Sequence, residues 1–327
     1  MIQMPDLAAA RDRIAAAQRF LLITHIHPDG DAVGSLLGLG LALRAVGKDV
    51  VMACADPAPD IYAFLPNFAD ITMKPTGEFE AVAVLDAADL SRTGRFAARL
   101  TERPADFLFD HHITNPGFAQ FNFIDVQAAS TAELVAELLE PLGLPLTRPV
   151  AEALLTGLVT DTIGFKTSNT SPKTLAIAQR LMETGASLAD IYDASLNKRS
   201  FAATRLWGEG LTGAQLADHM VWAALPLSAR VSVGYSGKDD ADLVNILTSV
   251  REAKVALVFV ERDNGTVKVS WRSMSPLNVA AIAQTYGGGG HAPAAGAEIR
   301  GTLAEVQADV LAATRAALRQ FNGSKPE

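Results

Sequence analysis

Residues 20–31 read FLLITHIHPDGD, an apolar run that passes directly into two histidines and two aspartates. The run Phe20–Thr24 predicts a short buried strand. Pro28 and Gly30 force a turn after it, and the apolar segment 32–46 then predicts a buried helix. A strand, a polar turn and a helix in this order indicate an α/β sheet with functional side chains at its strand ends.

The same order repeats along the first half of the chain. Strands are predicted at 49–53, 81–85 and 107–109, and the last two stop at Asp86 and Asp110. Helical segments fall between these strands, so the pattern predicts an α/β fold with a mainly parallel sheet and helices on both faces. Ligands bind beyond the carboxyl ends of the strands in such sheets, and the polar residues there are expected to share one edge.

The pattern changes after about residue 185. A helical connector is predicted over 187–212, between a first domain at 1–186 and a second domain at 213–322. Strand-like runs in the second domain lie at 220–225, 255–260 and 267–271. These runs alternate with helical segments, one of them over 240–251, which predicts a smaller α+β domain.

Composition and charge narrow the classes of function. The chain has 327 residues, of which 49% are hydrophobic and 20% charged, enough for two globular cores. A net charge of −8 offers no basic field for long nucleic acid, so a polyanionic substrate is expected to be small. The single cysteine, Cys54, lies in an apolar run and is expected to be buried. No signal peptide or membrane span is visible, which predicts a cytoplasmic protein.

Five of the six histidines lie in three clusters with acidic or glycine neighbours. The clusters are His25–Asp31, Asp110–His112 and Gly287–His291. Neutral imidazoles beside carboxylates at strand ends are typical ligands of a divalent metal. The sixth histidine, His219, has no such neighbours and is expected at the surface.

Each cluster also has a structural alternative. Asp31 would serve as a cap of the helix that begins at Ala32. His111 and His112 would be an ordinary surface pair, and the glycine run would be a flexible loop. If the histidines are functional, their extended backbone predicts that they point to opposite sides, one toward metal and one toward substrate. Asp110 is then expected to orient a histidine through its second ring nitrogen.

The residue types indicate phosphate chemistry. Asp86 ends an apolar run, and a buried carboxylate there requires a cation or several donors. Two histidines with four aspartates are too rich in oxygen for structural zinc and suit Mn²⁺ or Mg²⁺, with the imidazoles favouring Mn²⁺. A pair of such ions, about 3.5–4 Å apart, promotes in-line attack on a phosphate ester. Arg272 and the glycines at 287–290 would bind phosphate through guanidinium and backbone N–H groups.

Taken in order, these motifs resemble the DHH phosphoesterase family, in its nanoRNase and phosphoadenosine-phosphate phosphatase branch. The resemblance covers nearly the whole chain. The matching motifs are His25-x-His27-Pro28-Asp29-x-Asp31, Asp86, Asp110-His111-His112 and Asp161, and, for the DHH-associated C-terminal domain, Ser270-x-Arg272-Ser273 with Gly287–His291. One departure is Ile163, which this chain carries before the glycine of the branch's Asp-Thr-Gly motif.

The resemblance implies a site with two Mn²⁺ ions, or Mg²⁺ in their place. One ion would be held by His25, Asp29 and Asp86. The other would be held by Asp31, Asp86, His111 and Asp161, so that Asp86 bridges the two. His112 would lie at the scissile phosphate as a catalytic residue, supported by Asp110. The remaining end of the nucleotide would be bound by Arg272, Ser273, Gly288, Gly289, Gly290 and His291, and the catalytic cleft would lie between the two domains.

The activity implied is hydrolysis of very short oligoribonucleotides to 5′-mononucleotides, and also of 3′-phosphoadenosine 5′-phosphate to AMP. The alternative is a phosphodiesterase that acts on cyclic-di-AMP or on its linear product pApA, because the same residues would serve both. A pyrophosphatase of the superfamily and a non-catalytic nucleotide-binding regulator rank lower. Short RNA and small nucleotides are the expected partners, with no long nucleic acid and no membrane. Members of the branch often form homodimers, and no surface in the sequence indicates one.

Overall fold

A computed structural model describes residues 6–323 of the chain. The chain divides into two compact units at the bond between Lys198 and Arg199, called here the N-terminal and C-terminal units. This division falls within the predicted connector, 187–212. Among the described residues, no helix is both long and apolar enough to cross a membrane.

The N-terminal unit contains a six-stranded sheet in which every pairing is parallel. Its strands are β1 Arg19–Ile23, β2 Asp49–Ala53, β3 Ile71–Thr72, β4 Ala81–Leu85, β5 Ala105–Asp110 and β6 Ala119–Ile124. Their spatial order is β3-β2-β1-β4-β5-β6, so the direction of strand addition reverses between β1 and β4. The crevice beyond the carboxyl ends of β1 and β4 is where an open parallel sheet binds its ligand.

Helices cover both faces of this sheet. They are α1 Leu7–Ala16, α2 Gly30–Ala45, α3 Ala97–Glu102, α4 Thr131–Leu138, α5 Arg148–Asp161, α6 Pro172–Glu183 and α7 Leu188–Tyr192. Short 3₁₀ segments at Asp60–Tyr62, Phe68–Asp70 and Leu90–Phe96 and a π-helical turn at Asp193–Asn197 complete the unit. Alternate residues of β1 enter different hydrophobic clusters, with Leu22 on one face and Leu21 on the other. This double burial explains why the strands are continuous apolar runs.

Glycine allows α2 and α5 to pack at close range. A Cβ added at Gly34 would lie 2.6 Å from the carbonyl oxygen of Ala153 and 2.7 Å from the nitrogen of Gly157. Larger side chains would push the two backbones apart. The close packing brings the start of α2 beside the second half of α5, which places Asp31 and Asp161 on neighbouring elements.

The C-terminal unit is a mixed six-stranded sheet with helices. Its strands are β7 Gln215–Ala217, β8 Met220–Leu225, β9 Val255–Glu261, β10 Thr266–Ser273, β11 Gly289–His291 and β12 Ala294–Arg300, in the order β11-β12-β10-β9-β8-β7. Its helices are α8 Phe201–Thr212, α9 Leu227–Val233, α10 Leu243–Leu247, α11 Val279–Gln284 and α12 Leu303–Gly323. Among the described strands of this unit, only β8 and β9 pair in parallel. The two units confirm the predicted fold class.

Several elements differ from the sequence prediction. Strand β6 was missed, although Phe121 and Phe123 alternate with polar residues and are buried at period two. The helix expected over 240–251 covers only Leu243–Leu247, and it begins late because Ala241 and Asp242 have positive φ angles of 50° and 65°. The glycine run is not entirely a loop, since Gly289–His291 forms an edge strand paired with β12.

Candidate metal centre

The six predicted metal ligands come from five elements of the N-terminal unit. His25 follows β1, Asp29 and Asp31 lie at the start of α2, Asp86 follows β4, His111 follows β5 and Asp161 ends α5. The ligand atoms of these six residues and of His112 form groups whose members all lie within 4.8 Å of one another. The groups are His25, Asp29 and Asp86; Asp31, His111 and Asp161; and Asp86, His111 and His112.

Asp86 contacts both histidine ligands, through different oxygens. Its Oδ2 lies 3.4 Å from Nε2 of His25, and its Oδ1 lies 3.8 Å from Nε2 of His111. On the outer sides, His25 Nε2 lies 3.7 Å from Asp29 Oδ1, and His111 Nε2 lies 3.7 Å from Asp161 Oδ2. The carboxylate of Asp86 therefore stands between two sets of donors.

A sharp turn of the backbone allows the side chain of Asp86 to reach this position. Its φ angle is 57°, in the left-handed region, so the chain turns sharply where β4 ends. The amide of Asp86 still donates to the carbonyl oxygen of Phe109 at 2.9 Å, which fixes the turn to β5. The side chain is 3% exposed, and a carboxylate so buried requires partners. One of them is the hydroxyl of Thr131, which donates to Asp86 Oδ1 at 2.9 Å.

The structural alternative for Asp31 is wrong, because the cap of α2 is Asp29. Asp29 Oδ1 accepts hydrogen bonds from the amides of Asp31 and Ala32. Asp31 instead reaches the beginning of α4. Its Oδ2 accepts from the amide of Thr131 at 2.6 Å, and its Oδ1 accepts from that of Ala132 at 2.8 Å.

His111 and His112 do not point to opposite sides as expected. Their rings lie 4.8 Å apart in an edge-to-face arrangement, and each has a nitrogen 3.8 Å from Asp86 Oδ1. Strand β5 ends at Asp110, so the alternation of an extended strand does not apply to them. Nδ1 of His112 lies 2.7 Å from Oδ1 of the fully buried Asp110, whose Oδ2 accepts from Asn115 Nδ2 at 2.5 Å.

The electrostatics of the cluster fit divalent cations. Burial, followed by repulsion from Asp86 and Asp161, raises the pKa of Asp31 well above its usual value. Burial and the charge of Asp86 raise the pKa of Asp161 to about 6, although His111 opposes the shift. Burial alone would lower the pKa of His25, but hydrogen bonds with Asp29 and Asp86 outweigh it and raise the pKa to about 10. Burial without enough positive charge therefore disfavours the ionised forms of Asp31 and Asp161, and a cation bound by their oxygens would supply that charge.

Sequence reasoning missed two residues beside the cluster. Thr131 binds two of the carboxylates, and Asn115 holds Asp110. Neither forms a motif by itself. Arg92, which follows Asp86 closely in sequence, also lies here, with Nη2 3.3 Å from Nδ1 of His25. The cap residue Ser130 marks the beginning of α4, but nothing in the sequence connects that helix with Asp86.

In the C-terminal unit, Arg272 and Ser273 have partners close by. Arg272 Nε donates to Oδ1 of Asn245 at 3.0 Å, and its Nη1 donates to the carbonyl oxygen of Trp271 at 3.0 Å. Burial lowers the pKa of Arg272, against the charges of nearby aspartates. The hydroxyl of Ser273 donates to the carbonyl oxygen of Ser275 at 2.7 Å.

The glycines next to His291 have a packing reason. A Cβ at Gly288 would lie 2.2 Å from the carbonyl oxygen of Gly296, and one at Gly290 would lie 2.4 Å from that of Ala294. Gly290 also has a φ angle of 139°. Gly288 and Gly290 therefore pack their backbone tightly against β12, and Gly289 and His291 belong to the paired edge strand.

Comparison with known proteins agrees with this architecture. Residues 19–158 match the DHH family, N-terminal domain, and residues 227–321 match the DHHA1 domain. The bifunctional oligoribonuclease and PAP phosphatase NrnA of Thermus thermophilus is 37% identical over 286 residues, covering 86% of this chain and 84% of that protein. The cyclic-di-AMP phosphodiesterase GdpP of Geobacillus thermodenitrificans is 28% identical over 338 residues, covering 97% of this chain and 50% of that protein.

A solved structure is similar over nearly the full length. The crystal structure of an exopolyphosphatase-related protein from Bacteroides fragilis superposes with a TM-score of 0.87 at 25% identity, and the match covers 98% of this chain and 97% of that one. The fold and the acidic, histidine-rich centre define a metal-dependent phosphoesterase. Within that class, the chain belongs to the DHH family and carries both of its domains, as the sequence motifs indicated.

Proposed function

We propose that this protein hydrolyses very short oligoribonucleotides to 5′-mononucleotides and converts 3′-phosphoadenosine 5′-phosphate to AMP, with two Mn²⁺ ions as cofactors. The central observation is the position of Asp86 between two groups of histidine and carboxylate donors. The similarity to NrnA of Thermus thermophilus, over most of both chains, supports the choice of substrates.

The proposed ligands divide around Asp86. His25 and Asp29 would hold one ion with it, and Asp31, His111 and Asp161 would hold the other. Bound divalent ions would supply the positive charge that stabilises a phosphoryl-transfer transition state. The groups of donor atoms within 4.8 Å support this division.

His112 is proposed to act on the substrate phosphate. Burial alone would lower the pKa of His112, but its hydrogen bond with Asp110 and the charges of Asp86, Asp110 and Asp161 together outweigh burial and raise that pKa. A protonated imidazole can donate to a phosphate oxygen and stabilise the charge that develops there. Asp110 would orient the ring through Nδ1, and Asn115 would hold the carboxylate of Asp110 in place.

The substrate is proposed to be small. The chain carries a net charge of −8, so it has no general attraction for a long polyanion. Arg272 and Ser273 are proposed to bind the part of the nucleotide that does not react, together with Gly288, Gly289, Gly290 and His291. The guanidinium of Arg272 is suited to phosphate, because it remains charged and presents several donors in one plane.

A second candidate is the hydrolysis of cyclic-di-AMP or pApA. The similarity to GdpP favours it, although the match covers only half of that protein.

One experiment separates the candidates: initial rates with short RNAs, pApA, cyclic-di-AMP, 3′-phosphoadenosine 5′-phosphate and pyrophosphate, each with Mn²⁺ or Mg²⁺. We expect the short RNAs and 3′-phosphoadenosine 5′-phosphate to give the highest kcat/KM with Mn²⁺. A preference for cyclic-di-AMP would favour the second candidate, and no turnover of any substrate would reject both.

A further inference from the structure

The N-terminus of helix α4 is in direct contact with two carboxylates of the candidate metal centre. The amides of Thr131 and Ala132 donate to the two oxygens of Asp31, at 2.6 Å and 2.8 Å. The hydroxyl of Thr131 donates to Oδ1 of Asp86 at 2.9 Å. Thr131 and Ala132 are fully buried, and Asp31 is 1% exposed. Water therefore cannot substitute for these donors.

The local sequence explains why these donors are available. Ser130 caps α4, and its hydroxyl accepts from the amide of Glu133. The amides of Thr131 and Ala132 come earlier in the first turn, where no carbonyl within the helix can accept from them. They therefore point outward from the positive end of the helix, which favours a negative group. Asp31, 100 residues away in sequence from Thr131, occupies that position.

We propose that Thr131 is a positioning residue of the metal centre. Its hydroxyl fixes the carboxylate of Asp86, and its amide fixes that of Asp31, so the two repelling carboxylates are held in place before a cation arrives. The proposal rests on the metal ligands proposed above. It gives Thr131 a role in cation affinity and none in the chemical step itself.

Three substitutions at this position separate the two contacts. Thr131→Ser keeps both the hydroxyl and the amide. Thr131→Val removes the hydroxyl and keeps the shape and the amide. Thr131→Pro removes both donors, and proline is tolerated at this first helical position because its amide has no partner within the helix. Ser130 has φ −159° and ψ 162°, a conformation that a following proline accepts.

The readout is Mn²⁺ binding to the metal-stripped full-length protein, measured by titration calorimetry, with the melting temperature recorded with and without Mn²⁺. We expect Thr131→Val to weaken Mn²⁺ binding about tenfold, because groups that orient metal ligands typically contribute 10–100-fold to affinity. Thr131→Pro should weaken it further, and Thr131→Ser should stay within about threefold of the wild type. Weaker Mn²⁺ binding should also reduce the rise in melting temperature that Mn²⁺ produces.

The matched control is Thr156→Val. Thr156 is equally buried, and its hydroxyl donates to the carbonyl oxygen of Glu152 within the same helix, at 2.8 Å. It should change the melting temperature slightly and leave Mn²⁺ affinity unaltered.

Three outcomes would overturn the proposal. If the wild type binds Mn²⁺ and Thr131→Val and Thr131→Pro bind it equally well, the positioning role is wrong while the proposed ligands stand. If the wild type itself binds no Mn²⁺, the proposed metal centre fails and this inference fails with it. A variant that loses melting temperature but keeps wild-type affinity shows a purely structural role, which also overturns the proposal.

Discussion

The two units of this protein present their predicted functional residues in different ways. In the N-terminal unit, side chains from five elements converge into groups of three, and within each group the ligand atoms lie within 4.8 Å of one another. In the C-terminal unit, Arg272 donates to Asn245, Ser273 donates to Ser275, and Gly288 and Gly290 pack against β12. The sheets explain the contrast. Parallel strands all end at one edge, whereas antiparallel neighbours end at opposite edges.

We propose that the N-terminal unit carries out the chemistry and that the C-terminal unit binds the substrate. The largest expected effect therefore belongs to Asp86. We expect Asp86→Asn to lower kcat with Mn²⁺ by about 10³-fold or more, because the loss of a shared ligand removes several kcal/mol of charge stabilisation. Asparagine tolerates the φ angle of 57°, so the turn should survive. Initial rates with a short RNA provide the measurement.

Asp106→Asn is the control for this variant. Asp106 is also buried, but it binds Arg13 and the amide of Val82 away from the cluster. Its kcat should remain close to the wild-type value. A near-wild-type rate for Asp86→Asn would show that Asp86 and the histidines and carboxylates around it do not form the catalytic centre.

The convergence also predicts that metal binding depends on pH. The pKa of His25 is raised to about 10, so in the metal-free protein this histidine is protonated at neutral pH. A histidine must be neutral to bind metal, so binding releases this proton, and Mn²⁺ affinity should rise by up to about tenfold per pH unit between about pH 6 and pH 9. Calorimetry in two buffers of different ionisation enthalpy measures the release.

His25→Gln should abolish that part of the proton release. His27→Gln is the matched control, because the side chain of His27 is 83% exposed and contacts Asp56 instead of the cluster. Mn²⁺ affinity that stays constant over this pH range would contradict the assignment of His25 as a ligand.

In the N-terminal unit, part of the fold and the meeting of the candidate ligands could be predicted from the sequence. Strands β2 and β4 have the bounds expected, and the histidines and aspartates that follow apolar runs meet because parallel strands end together. The ring directions of His111 and His112 could not be predicted, since they depend on where β5 ends. The contact between Thr131 and Asp86 joins residues 45 apart in sequence without any motif.

In the C-terminal unit, the sequence predicted β8 with its observed bounds and most of β9 and β10, but not the strand that packs against the glycine motif. Strand β12 was missed because it contains glycine and several alanines, which are weak strand formers. Without β12, the glycines before His291 resembled a loop. Their close approach to Gly296 and Ala294 is a tertiary contact that a local pattern does not reveal.

A substitution of Arg272 tests the proposed binding of substrate by the C-terminal unit, and its expected effect is smaller. We expect Arg272→Ala to raise KM about tenfold and to change kcat by less than about threefold, because it removes a charged contact remote from the reacting phosphate. Steady-state kinetics with 3′-phosphoadenosine 5′-phosphate and with a short RNA give both constants. The exposed Arg251, changed to alanine, serves as a control for the loss of one positive charge in the same unit. An unchanged KM for Arg272→Ala would remove it from substrate binding.

The smallest expected effect concerns the turn after Asp161. Ile163, Gly164 and Phe165 have positive φ angles of 48°, 69° and 67°, and a β-branched side chain is strained in that region. Ile163→Asn should raise the free energy of unfolding by about 1 kcal/mol, because asparagine tolerates this conformation. Urea denaturation measures the change. Ile113→Asn, at a position that is 85% exposed and without a positive φ, should give no such gain. A loss of stability in Ile163→Asn would mean that its apolar contacts outweigh the strain.

The location of bound Mn²⁺ tests the central claim most directly. Crystals grown with Mn²⁺ and measured at the manganese absorption edge would locate the ions by anomalous scattering. We predict two peaks in the N-terminal unit on either side of Asp86, one beside His25 and Asp29 and the other beside Asp31, His111 and Asp161. Peaks elsewhere in the molecule, or none at Asp86, would contradict the metal centre and the phosphoesterase mechanism built on it.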